Sequence, residues 1–267
     1  MTIQTRFRTL IGAALSAAIL AVSPAMAVDD TSRSREQLAV EQLSTLGDQL
    51  KAVLTPEIGF PEKYVAHWYA AVDSAFAPDL LERDVLGEMD AQLDEETRAA
   101  AGAFDATPLG QQSRELLSAS ARNTRAEEQA SVTTARSYLE TASAEQKKLF
   151  VDLFEAQLGA RRADDVMDVY FRAMKTAAEP VVGAEAADQW IAGADQLRTG
   201  YVDNYFMSTV STYRPLPEDQ LRELVDALQT PAMISYAEKT TTAFTKALNA
   251  AIDRVKVDYA QRLAADK

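Results

Sequence analysis

LDEETRAAAGAFDATPLG occupies residues 93–110, and LPEDQLRELVDALQTPAM occupies residues 216–233. Both read the same way. An acidic first turn, with Glu95 in one and Glu218 in the other, suits a helix start because carboxylates favour the positive end of the helix dipole. A short helix follows, and Thr107-Pro108 or Thr230-Pro231 ends it. The residue before a proline is driven out of the α region, while proline itself sits easily in the first turn of a new helix. Laid on each other with an offset of 123, the stretches match at Leu93/Leu216, Glu95/Glu218, Thr107/Thr230 and Pro108/Pro231. The shared unit is a helix pair joined by a proline turn, written twice.

Outward from these stretches the same offset holds. Helix starts expected near 61, 94 and 108 shift onto 184, 217 and 231, where the sequence independently signals helix starts. Leu43 and Leu46 fall on Val166 and Val169, and Trp68 and Trp190 miss each other by one position. Ala is abundant, β-branched alternation is missing, and apolar residues recur at three and four positions. Leu43, Leu46, Leu50, Val53 and Leu54 make such a stripe, as do Tyr64, Val65, Trp68, Val72 and Phe76. The expected fold is an all-α helical bundle built from two tandem copies, residues 28–146 and 147–267.

Finer expectations follow. Asp94 caps one helix, and Ser143-Ala144-Glu145-Gln146 has the form of a capping box before the apolar face of Leu149, Phe150, Leu153 and Phe154. Gly159 is expected to end that helix. The helix carrying Val166, Tyr170 and Met174 is expected to stop at Pro180, and a single helix to run from about Ala184 to Thr212. A long polar helix is expected from Pro108 to Thr141. Between Ser118 and Ser131 it has almost no large apolar residue, which places that segment on the outside.

Residues 1–27 have the three parts of a cleavable export signal. Arg6 and Arg8 precede an apolar run of about fourteen residues, and Ala25-Met26-Ala27 forms an A-x-A cleavage site. The run is shorter than the ~20 residues a membrane span needs. Removing it takes away two arginines and no acid from a chain of 267 residues and net charge −13, leaving 240 residues at −15. The expected product is soluble and periplasmic, or fully secreted. With no cysteine it relies on packing rather than disulfides. Such a negative charge repels phosphate backbones, so nucleic acid is not expected as a partner, nor is stable membrane insertion.

Phe104-Asp105-Ala106-Thr107-Pro108-Leu109-Gly110 resembles the F-x-x-[ST]-P-x-G element of domain-of-unknown-function family 2059, whose members are exported bacterial helical proteins. In that family the element follows a short acidic-started helix. The second stretch, Leu228-Gln229-Thr230-Pro231-Ala232-Met233, is similar but puts Leu one residue later than Phe would fall, and Met233 in place of Gly. The resemblance implies an exported helical fold and no activity.

The chain carries one histidine, His67. That rules out the H-E-x-x-H zinc motif and paired Glu-x-x-His di-iron ligands. There is no G-x-S-x-G elbow, P-loop or G-x-G-x-x-G, so no catalytic residue and no cofactor is expected. Asp164, Asp165 and Asp168 could hold a hard cation, but carboxylates near a helix start are explained more simply by the dipole. Tyr201, Tyr205, Phe206 and Tyr213 form an aromatic stripe that reads first as core, and Thr240-Thr241-Thr242 reads as a polar groove or tight helix packing. Three functions follow. The first is non-enzymatic contact with an envelope protein at a groove where the copies join. The second is carriage of an apolar small molecule between helices, with His67, Trp68, Trp190, Tyr201 and Tyr205 as candidate contacts. The third is a hydrolase using carboxylates and His67.

Overall fold

The computed structural model describes residues 40, 46–55, 60–121, 123, 125–191 and 194–266. The expected signal peptide and Leu43 lie outside the described residues. After a helical stretch at 46–51, the helical segments among the described residues are α1 Glu62–Ala75, α2 Pro78–Gln92, α3 Glu95–Asp105, α4 Pro108–Ala121, α5 Arg125–Thr141, α6 Ala144–Ala156, α7 Gly159–Val182, α8 Ala184–Ile191, α9 Ala194–Tyr213, α10 Glu218–Leu228 and α11 Pro231–Ala265. Among the described residues there is no strand, so the fold is all-α. No helix among them is long and apolar enough to cross a membrane.

The sequence signals explain most helix starts. The Asp94 carboxylate accepts the Thr97 amide at 2.8 Å, which satisfies one of the unpaired donors at the head of α3. At α6 the capping box is complete: Ser143 Oγ accepts the Gln146 amide, and Gln146 Oε1 accepts the Ser143 amide, both at 3.0 Å. Pro78, Pro108 and Pro231 each stand first in their helices. Helices α3 and α10 are both 11 residues long and start 123 positions apart.

Three expectations fail, each for a local reason. The helix expected over 108–141 breaks after Ala121 and resumes at Arg125. Helix stability in a protein comes mainly from packing an apolar face, and 118–131 has none to press on the core. Helix α5 packs on α9, and Val132 and Ala135 are its buried apolar residues. Gly159 does not end α6 but opens α7, and the left-handed residue is Leu158 at φ 55°. A Cβ on Gly159 would run into the Phe154 ring, so glycine is needed there for space rather than for its backbone freedom. Pro180 does not stop α7, which runs two residues further. The stop is Gly183, at φ 84°, whose amide bonds Glu179 O at 2.9 Å. The segment expected as one helix from 184 to 212 is helical over Ala184–Ile191 (α8) and Ala194–Tyr213 (α9), and residues 192–193 lie outside the described residues.

The long α11 packs against α1, α2, α3 and α7, while α9 lies on α7 and α5. The core is one continuous cluster running from Leu46 to Tyr259 and drawing on both halves of the chain. At its centre Trp68, fully buried, donates its indole N–H to Leu50 O at 2.9 Å. It meets Tyr259 edge to face, with centroids 5.5 Å apart.

Candidate functional site

A cavity of about 350 Å³ lies among α4, α5, α7, α9 and α11. That is within the ~300–1,000 Å³ typical of small-molecule sites. Helix α9 lines it with Tyr201, Tyr205, Thr209, Thr212 and Tyr213. Helix α4 contributes Ser113, Leu117 and Ala121, and α11 contributes Tyr236, Thr240 and Phe244. Each of these α11 positions stands 123 beyond its α4 counterpart. Met89 and Thr212, both in the lining, are spaced in the same way.

The walls mix apolar surface with hydroxyls that are mostly occupied by one another or by helix carbonyls. The Tyr213 hydroxyl accepts from Gln157 Nε2 at 3.2 Å and meets Ser113 Oγ at 3.3 Å. Thr212 donates to Ser120 Oγ at 3.0 Å, and Thr240 back-bonds to Tyr236 O at 2.8 Å. Arg162 Nε donates to Thr241 Oγ1 at 3.0 Å, and Thr245 donates to an Asp165 oxygen at 2.6 Å. These bonds fix the rotamers of groups that would otherwise be costly to bury. Among the described residues, the hydroxyls of Tyr201 and Tyr205 have no hydrogen-bond partner. Their rings stack, 6.3 Å between centroids and 28° between planes. Burial, then the neighbouring Tyr205 and Glu128, raises the Tyr201 phenol above its ordinary value, so it stays a protonated donor.

Tyr201 and Tyr205, taken first as core, line the cavity, and so do the buried Thr240 and Thr241. Trp68 does not: its indole is consumed in the core. Trp190 lies in α8, but its side chain is outside what is described. His67 is also elsewhere, its Nε2 2.7 Å from Asp266 Oδ2, a pairing that lowers the Asp266 carboxyl and ties the end of α11 to α1. Asp164 and Asp168 are spent on Arg198, and among the described residues no three acidic or histidine side chains gather as metal ligands. The residues that sequence reasoning passed over are the small polar ones, Ser113 and Ser120. For Ser120 the signal was the absence of large apolar residues just beyond Leu117, read as an outer surface.

The 104–110 element has a defined job. Thr107 Oγ1 donates to Phe104 O at 2.7 Å and accepts the Gly110 amide at 3.0 Å, locking the turn between α3 and α4. A Cβ on Gly110 would overlap the Phe104 carbonyl oxygen and lie 2.8 Å from its carbon. At the second turn Thr230 keeps only the bond to Ala227 O, at 2.9 Å, and Met233 reaches the cavity. Comparison with models of protein families, with curated proteins and with solved structures finds no match to this chain.

Proposed function

We propose that this is a non-enzymatic binding protein that carries a small molecule with an apolar body in the cavity between α4, α9 and α11. The observation that carries the reading is the cavity itself: its size suits a small ligand, and much of its wall is apolar, with polar groups already held in place. Contact with an envelope protein at an open groove has less to rest on, since the two halves meet in one packed core. Among the described residues, the large exposed apolar side chains, Leu86, Val151, Ile234 and Val257, are scattered over three helices. A hydrolase built on His67 has less still, because that residue pairs with Asp266 away from the cavity.

Export to the periplasm, cleavage after Ala27 and membership of domain-of-unknown-function family 2059 belong to the same reading. They rest on residues 1–27 and on the 104–110 element. Two tandem copies, 28–146 and 147–267, are part of it as well. What supports them is the equal length and offset of α3 and α10, and the offset of 123 between lining residues of α4 and α11. A cavity between matched helices is where a duplicated unit leaves a site.

The test is calorimetric titration of the full chain with 1-octanol, beside the variant Ala121→Phe. The variant puts at 121 the ring that Phe244 carries 123 positions later. Saturable heat in the natural protein and its loss in the variant is the expected result. Heat of the same size in both, or in neither, would remove the cavity from the account.

A further inference from the structure

Two walls of the cavity differ in a way that specifies its ligand further, on the footing that it binds a small molecule at all. Every residue that α9 brings to the lining carries a hydroxyl or an amide, and none is charged. Tyr201, Tyr205, Ser208 and Thr212 recur at steps of four, three and four, so they form one stripe along that helix. Thr212 is bonded to Ser120 of α4, but among the described residues the hydroxyls of Tyr201, Tyr205 and Ser208 make no hydrogen bond. Helix α11 contrasts with this. Met233, Phe244 and Leu248 give it apolar wall, and its threonines are already engaged: Thr240 donates to Tyr236 O, Thr241 accepts from Arg162 Nε, and Thr245 donates to Asp165. The charged residues of the lining stand on other helices, Glu128 on α5 and Arg162 and Asp165 on α7. A hydroxyl taken out of water without a partner costs free energy, so a ligand that displaces water from α9 must offer that stripe partners.

We infer that the ligand is two-sided, with neighbouring hydroxyl groups set along α9 at Tyr201, Tyr205 and Ser208 and a hydrocarbon part against Met233, Phe244 and Leu248 of α11. A hydroxyl both donates and accepts, as the groups of the stripe do, so a run of hydroxyls on the ligand can pair with the run on the helix. A plain hydrocarbon would leave the stripe without partners.

Three probes of equal chain length isolate the hydroxyls: 1-octanol, 1,2-octanediol and 1,2,3-octanetriol, each titrated calorimetrically into the full chain below the concentration at which it aggregates. Each added hydroxyl makes the probe more soluble in water, so a merely apolar cavity would bind the alcohol tightest. The expected order is the reverse, with the triol about fivefold tighter than the alcohol. Tyr201→Phe removes one open hydroxyl and should erase most of that advantage while 1-octanol still binds, which also shows that the variant folds. Affinity that stays level or falls from alcohol to triol, or an advantage that the variant keeps in full, overturns the hydroxyl-bearing ligand and leaves the small-molecule reading standing. Binding of none of the three overturns both.

Discussion

Helices α4 and α11 begin with the same Thr-Pro turn, 123 positions apart, and turn equivalent residues to the same cavity, yet they end very differently. Helix α11 runs 35 residues without a break and presents Met233, Tyr236 and Phe244. Helix α4 stops after 14 residues and carries Gly110, Ser113 and Ala121 at the matching positions, of which Ser113 and Ala121 line the cavity. Large side chains along α11 hold it to α1, α2, α3 and α7 as the spine of the bundle. Small ones along α4 allow it to press on the end of α3, and they leave space in front of it. The cavity is the volume that one helix of the pair does not fill. The difference teaches that, of two helices opened by the same turn, the one with the smaller side chains is the one that leaves room for a site.

The comparison breaks most visibly at its tightest point. Gly110→Ala should destabilise by about 3 kcal/mol in urea unfolding, because the new methyl meets backbone that has no room to shift. The gain in helix propensity, about 1 kcal/mol, opposes this without cancelling it. An unchanged midpoint would mean that α3 and α4 are not so close. On the other helix, Phe244→Ala should lose about 2 kcal/mol, below the ~3–5 kcal/mol of a fully enclosed ring because one side already faces the cavity. The same change should admit a bulkier ligand, which titration of a branched alcohol beside 1-octanol would detect.

Tyr213→Phe tests the polar side of the pair. It leaves the buried Ser113 hydroxyl and Gln157 amide without their shared partner, for a loss of about 1 kcal/mol by thermal or urea unfolding. The smallest effect belongs to the helix caps. Asp94 caps α3 and pairs with Lys239 of α11, whereas Pro217 stands at the equivalent position and offers no side-chain cap. The Lys239 ammonium and then the Thr97 amide hold the Asp94 carboxyl below its ordinary 3.8. Its contribution is therefore present above that value and lost as pH falls through the depressed folded-state pKa. Asp94→Ala should lower the melting temperature at neutral pH, and the gap from the natural protein should close in strong acid. A gap that persists there would assign the loss to packing.

Much of the fold was legible because its determinants are local. Asp94, the Ser143–Gln146 box and the prolines at 78, 108 and 231 act within a turn of where they stand, and the helices start there. What was not legible depended on partners far along the chain. Gly159 looked like a helix end, but its role is to clear the Phe154 ring. The polar stretch after Leu117 looked like outer surface, but Ser120 and Ser131 face the cavity, and Thr212 bonds Ser120 from 92 residues away. Tyr201 and Tyr205 were picked out by helical spacing alone. Spacing gave no way to tell a stripe that fills the core from one that borders a space.

Native mass spectrometry of the protein purified without detergent from its own source, beside Ala121→Phe prepared identically, tests the central claim most directly. A chain beginning at Val28 that retains one small adduct, absent from the variant, is the predicted result. A bare chain in the natural protein, or an adduct kept equally by the variant, would contradict it.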